Sequence, residues 1–358
     1  ALAQGSLAPA EMRDPKSRYQ PVRRADLNRL TPHFNWDNYL AELQLSEGAF
    51  NLATPKFFTN LDAMMASVPL GDWKIYLRWL VLRSSANYLS SAFEDEQFAF
   101  SRILSGAKKK PDRWKKMVSL TDAYLGMALG KKFVARNFTP QARARALDML
   151  AHIRAVLRER IQSGWMSPAT RLEALAKLDK MQIKIGYPDH WKDYSRLKIG
   201  GPFFQNLLAA KSFAVADDLG KLGKPVDRTE WDTTPATVNA NYDPAKNAIC
   251  FPAGRMQPPF FDVKADDALN YGATGVTMAH EMSHGFDDEG SQYDSTGSLR
   301  NWWTPEDLAR FIRKADSVAR QMSEYTFDGQ KNNGKLVVGE AMADQAGVGL
   351  ACEALRRA

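Results

Sequence analysis

Two histidines four residues apart, in His280-Glu281-Met282-Ser283-His284, constrain this 358-residue chain more than any other feature in it. Both imidazoles reach one point only if the segment is helical, because residues four apart share a helix face. Glu281 is then turned about 100° further round the helix, beside that point rather than on it. Two nitrogen ligands, an open position and a carboxylate placed to take a proton from water are what metal-assisted hydrolysis needs, and zinc is the ion expected for this pattern. Val276, Met278, Ala279, Met282 and Phe286 fit a buried helix, while Gly272, Ala273 and Gly275 predict close approach by a neighbour. Two histidines at this spacing can also be ordinary core residues, so the rest of the chain has to decide.

A third ligand is required. Six residues past His284, where one class of zinc peptidase has a histidine, stands Gly290. Glu306 lies about twenty residues on but follows Thr304-Pro305, which makes it a first-turn acid at a helix start. Glu340, in Gly339-Glu340-Ala341-Met342-Ala343-Asp344, is the stronger candidate. Glu340 and Asp344 are again four apart, so a second helix presents both. Glu340 can bind the metal while Asp344 accepts the other ring N–H of a ligand histidine and fixes its tautomer.

Bulk properties narrow the alternatives. The net charge is +7, but the densest basic run, Lys108 to Lys110 with Arg113, Lys115 and Lys116, has only Trp114 among it and no nucleic-acid motif. It reads as a solvated face, and no nucleic-acid partner is expected. No apolar stretch is long enough for a transmembrane segment. Cys250 and Cys352 form no C-x-x-C pair, and Cys250, between Ile249 and Phe251, reads as a buried thiol.

The first half reads as helical. Thr139-Pro140 opens a helix whose Ala146, Met149, Leu150, Ile153, Leu157 and Ile161 recur at helical spacing up to Ser163-Gly164. Ser167-Pro168 opens a second, with Leu172, Leu175 and Leu178 inward, running to about Gly186. Trp79, Leu80, Leu82, Tyr88 and Leu89 predict another. Gly220, Gly223 and Pro225 mark a linker, which predicts a mainly helical lobe over 1–225 and a metal-binding domain over 235–358. Beyond it, Thr237 to Phe251 reads as a strand pair turning at Asp243–Asn247. Helices are expected again around His280, from Thr304 to Met322, and from Gly339 to Leu355. Val238-Asn239-Ala240-Asn241-Tyr242 predicts a strand whose edge could pair with an extended peptide. Phe251 to Gly254 and Gln257 to Phe261 form an apolar segment that either plugs the core or walls a side-chain pocket.

The strings V-N-A-N-Y-D-P, F-P-A-G, Q-P-P-F-F, H-E-M-S-H-G-F-D-D-E-G and G-E-A-M-A-D resemble, in order and spacing, the neprilysin and endothelin-converting-enzyme family of zinc endopeptidases. Met12-Arg13-Asp14-Pro15, Leu104-Ser105-Gly106, Arg113-Trp114, Trp165-Met166 and Ile185 to Asp189 extend the resemblance over nearly the whole chain. It implies a mainly α, two-lobed fold with a small β-sheet next to the metal-binding helix. It also implies one Zn2+ per chain on His280, His284 and Glu340, with Glu281 as general base and later proton donor and Asp344 orienting a histidine. Asn239 and Ala240 would hold the peptide backbone. Phe260, Val276 and Thr277 would line the pocket for the residue after the scissile bond. Arg255 stands at a pocket position usually aliphatic, which implies a preference for acidic or polar residues there.

The family runs longer at both ends, and beyond the glutamate-bearing helix it supplies a histidine and an arginine that steady the oxyanion. The chain therefore resembles a shortened, bacterial-type member, expected to act on peptide substrates or, as the alternative, to bind zinc and peptide with little turnover. Association with further parts of the parent chain is also expected. The resemblance favours the periplasm or cell envelope over the cytoplasm.

Overall fold

The structure, a computed structural model, describes residues 2–45 and 48–358. Packing divides the chain into two units. One comprises Ala1–Ala8, Ser17–Tyr124 and Asp193–Lys224; the other comprises Pro9–Lys16, Leu125–Lys192 and Pro225–Ala358. One helix, Arg113–Asn137, runs through the division and leaves helical geometry at Leu125 (φ −125°, ψ 23°).

Among its described residues the first unit is built from helices of up to 17 residues and an antiparallel strand pair, Pro21–Arg23 with Ala49–Asn51. The helix expected around Trp79 spans Leu70–Ser85, and none of its residues is buried. Leu70, Ile75, Trp79, Val81 and Leu82 all face solvent. In the basic run, Lys110 pairs with Asp95 and Lys116 with Glu94, as in a solvated charged face.

The second unit holds the main core and the metal-binding motif. Its elements are α1 (Pro9–Arg13), α2 (Pro140–Ser163), α3 (Pro168–Lys180), β1 (Gln182–Gly186), β2 (Asn241–Asp243), β3 (Ala248–Pro252), α4 (Val276–Ser283), α5 (Pro305–Glu324) and α6 (Gly334–Leu355). Thr139 caps α2 by accepting from the Ala142 N–H, and its apolar stripe, Ala146, Met149, Leu150, Ile153 and Ile161, is buried. That stripe packs on α4 and α6, so residues 125–192 group with the site rather than with the preceding helices. The packing therefore cuts the chain differently from a single division near residue 230.

The second helix ends earlier than the spacing predicts. It stops at Lys180, and residues 182–186 form β1, because the alternating Gln-Ile-Lys-Ile pairs in parallel with the wholly buried β3. Leu172 points outward and is 71% exposed, and the inner face is Thr170, Ala174, Lys177 and Leu178. The expected strand over 238–242 is also shorter. Only Asn241–Asp243 pairs with β3, with Tyr242 opposite Ile249, and Val238 is exposed outside the sheet. β2 is the edge of a three-stranded sheet ordered β1-β3-β2.

Helices α4 and α6 lie side by side. Their close approach comes from α6, not from the glycines ahead of α4: a Cβ on Gly347 would sit 2.9 Å from the Val276 carbonyl oxygen and 3.3 Å from His280 Cβ. Cys250 is buried, Cys352 exposed, and both are free thiols.

Candidate metal centre and its cleft

His280 lies in the last turn of α4, and His284 immediately follows in a 3-10 turn spanning His284–Phe286. Their Nε2 atoms face each other 2.9 Å apart. Glu340 enters from the first turns of α6, with Oε2 at 3.3 Å from His280 Nε2 and 3.7 Å from His284 Nε2. The remaining ring nitrogens are held by carboxylates: His280 Nδ1 meets Asp344 Oδ1 at 2.8 Å, and His284 Nδ1 meets Asp287 Oδ2 at 2.7 Å. A carboxylate only accepts, so each Nδ1 carries the proton and each Nε2 presents a lone pair.

With both imidazoles neutral, three lone-pair donors converge on one point, an arrangement suited to a cation. Ligands placed tetrahedrally at the usual zinc distances stand about 3.3 Å from one another. The observed 2.9, 3.3 and 3.7 Å bracket that spacing, so the residues fit the ion. The local field agrees. Burial works against a positive charge on His284, but Asp287, Glu281 and Glu340 outweigh it and raise its pKa.

Glu281 lies within the same 4.8 Å cluster of ligand-capable atoms as the two histidines. It differs from Glu340 in its surroundings. Glu281 is 6% exposed and its carboxylate accepts the Tyr242 backbone N–H, whereas the Glu340 side chain is 62% exposed to the cleft. Burial, with the nearby charge of Glu340, pushes the Glu281 carboxyl up to about 7 against the pull of His284. A carboxyl in that range can both take and return a proton near neutrality.

The cleft in front of these groups is lined by Asn239, Ala240, Asn241, Tyr242 and Pro244 on one side, and by Arg13, Asp287, Glu289 and Gly290 on another. Of the residues predicted from sequence, Asn239, Ala240, His280, Glu281, His284 and Glu340 come together here, with Asp344 behind His280. Arg255, Phe260, Val276 and Thr277 do not line it. Three of them form a separate contact: Arg255 donates to Thr277 Oγ1 at 2.7 Å and lies over the Phe260 ring at 4.0 Å. Thr277 stands one turn before Glu281 on α4, and the Arg255 charge reaches Glu281. Val276 opens α4, where its carbonyl abuts Gly347.

Sequence reasoning missed Asp287, Tyr242 and Arg13. Asp287, three residues past a ligand histidine, had a usable signal in that spacing. Arg13 stood in a string that the resemblance singled out but could be given no role, because 275 residues separate it from the Asp288 it meets.

Against known proteins, peptidase family M13 matches this chain in two stretches, residues 1–188 and 239–358. The chain is similar to neprilysin-3 of Drosophila melanogaster, at 33% identity over 99% of this chain and 48% of that protein. It is similar to human endothelin-converting enzyme 1, at 31% identity over 97% of this chain and 47% of that protein. Among solved structures it resembles the zinc metalloprotease Zmp1 of Mycobacterium tuberculosis in complex with an inhibitor, with TM-score 0.93, 35% identity, and coverage of 99% of this chain and 56% of that one. PepO from Lactobacillus rhamnosis gives TM-score 0.91 at 30% identity, covering 98% and 56%. The chain thus spans about half the length of the relatives it matches. With both stretches matched and its mainly helical fold shared, the chain belongs to peptidase family M13.

Proposed function

We propose that this chain is a zinc-dependent endopeptidase acting on peptides, with one zinc held by His280, His284 and Glu340. The observation that carries the reading is the pair of facing Nε2 atoms, each made a lone-pair donor by a carboxylate on its Nδ1, with Glu340 closing the third side. Zinc bound there would supply a Lewis acid that polarises water and the scissile carbonyl.

The remaining work falls to the chain's own groups. Glu281, buried beside the ligands, takes a proton from the attacking water and returns it to the leaving amine nitrogen. Asp344 and Asp287 keep the imidazoles in one tautomer and one orientation. Asn239 and Ala240, on the cleft wall next to the edge strand β2, hold the substrate backbone in extended form. Arg255, Phe260, Val276 and Thr277 lie outside the lining of that cleft and would form a pocket beside it for the residue that follows the scissile bond.

An internally quenched peptide tests this. Cleavage by the chain is expected to stop with a zinc chelator, to return with added zinc, and to fall about 10²–10⁴-fold in Glu281→Gln. Cleavage that survives both the chelator and the substitution would refute it.

A further inference from the structure

The string Met12-Arg13-Asp14-Pro15 has no part in the chemistry described so far, yet it touches the site. Arg13, at the end of α1, places Nη2 3.2 Å from both Asp288 carboxylate oxygens and 3.0 Å from Glu289 Oε1. Asp14, next in the chain, accepts from Gln292 Nε2 at 3.2 Å. Gln292 also donates back to the Asp288 carbonyl at 3.1 Å. Two consecutive residues near the start of the chain therefore grip both ends of the segment 288–292, which leads directly from the ligand-bearing turn.

The grip lies where both ligand-bearing elements meet. On one side is Asp287, 4% exposed, which accepts from His284 Nδ1 through Oδ2 and from the Glu289 and Gly290 N–H groups through Oδ1. On the other is Gly339, the residue before Glu340 on α6. A Cβ on Gly339 would stand 2.6 Å from Asp288 Oδ1, 2.8 Å from Arg13 Nη2 and 2.9 Å from Asp287 Oδ2. These three side-chain ends crowd round one glycine, so the Arg13–Asp288 pair packs against the supports of both His284 and Glu340.

Charge gives the same answer. Among the described residues that line the cleft, Arg13 is the one lysine or arginine, set against Glu281, Asp287, Glu289 and Glu340. Asp288, half-buried directly behind, has its carboxyl pKa raised by burial and by Asp287, and Arg13 counters both. Without a guanidinium there, three consecutive acids would repel one another beside the ligands. A forked, permanently charged donor suits a pair of carboxylates better than an ammonium does.

We infer that Arg13 is a positioning residue for the metal centre, clamping Asp288 and Glu289 against Gly339 so that Asp287–His284 and Glu340 keep a common geometry. The inference rests on the zinc-binding reading above and says which remote residue that site depends on.

The test is metal binding by the intact chain, read without turnover. Zinc affinity is measured by competition with a chromophoric chelator, and ligand geometry by the visible spectrum of the cobalt-loaded protein. Arg13→Met is expected to weaken zinc binding about 10–100-fold, the usual range for outer partners of metal ligands, and to alter the cobalt spectrum. Arg13→Lys, which keeps the charge, should recover part of both losses. Asp288→Asn, near-isosteric and leaving Arg13 in place, should weaken zinc several-fold, and it serves if Arg13→Met does not fold. Wild-type affinity and spectrum in Arg13→Met or in Asp288→Asn would overturn the inference, as would Arg13→Lys behaving no better than Arg13→Met. A wild-type chain that binds neither zinc nor cobalt would instead overturn the zinc site itself.

Discussion

At the scale of single residues, two glutamates near one pair of histidines differ sharply in environment. Glu281 is buried and engaged by a backbone N–H, while Glu340 is open to the cleft and reaches both Nε2 atoms. Arg255, which lies outside the cleft lining, is the residue proposed to set the preference of a neighbouring subsite. Its guanidinium is held by Thr277 and Phe260, and its Nη1 is buried with no hydrogen-bond partner. Peptides with glutamate after the scissile bond are expected to be cleaved about 10–100-fold better than leucine peptides, as a charge-assisted hydrogen bond allows. Arg255→Leu should reverse that order. Comparing kcat/KM for the two peptides decides it, and equal values in both proteins would exclude the role. This much was legible in sequence because i,i+4 spacing on a helix fixes which side chains converge. Asp287 sits after the helix ends, on a turn whose path no periodicity reports, so its reach back to His284 was not legible.

Among the elements, helix starts were the easiest to read and their partners the hardest. Ser167-Pro168 and Thr304-Pro305 correctly mark the starts of α3 and α5. Ser167 does not cap its own helix, however. Its N–H and Oγ both donate to Asp307 Oδ2, at 2.8 and 2.5 Å, while Thr304 Oγ1 accepts from the Asp307 N–H. One carboxylate, 2% exposed, thus ties two helix N-termini together. These hydrogen bonds, with Ser167 the main one, hold the Asp307 carboxyl at about 2, below the ordinary 3.8. A depressed carboxylate stabilises the fold above its unfolded value and loses that effect as pH falls through the folded one. Asp307→Asn should therefore cost about 1 kcal/mol at neutral pH, the usual size of a lost cap. The gap from wild type should hold down to about pH 4 and narrow by pH 3. Urea midpoints of both proteins at pH 7, 5 and 3 measure this, and a gap unchanged at pH 3 would contradict it. The misread end of α3 has a related cause. Residues 182–186 satisfy helix and strand patterns equally over so short a run, and only β3, more than sixty residues later, decides between them.

For the molecule as a whole, the sequence carried the fold class and which side chains converge around His280, but not the grouping of its parts. The apolar stripe of α2 announces burial without saying against what, and the answer, α4 and α6, lies beyond residue 275. For the same reason the clasp of residues 13–14 on 288–292 could not be read in advance. The metal centre thus draws on three distant stretches of chain: Arg13 near the start, α4 with the turn that follows it to residue 290, and the first turns of α6. No helix among the described residues is long and apolar enough to cross a membrane. The claim on which everything else depends is that His280, His284 and Glu340, not Glu281, hold one zinc. Equilibrium zinc titration of the wild-type chain, Glu281→Gln and Glu340→Gln tests it most directly. One zinc per chain is expected in the wild type, with Glu281→Gln binding almost as well and Glu340→Gln weakened by more than about 100-fold, beyond what loss of an outer partner causes. A wild-type chain that takes up no zinc, or a site that survives Glu340→Gln and fails in Glu281→Gln, would contradict it.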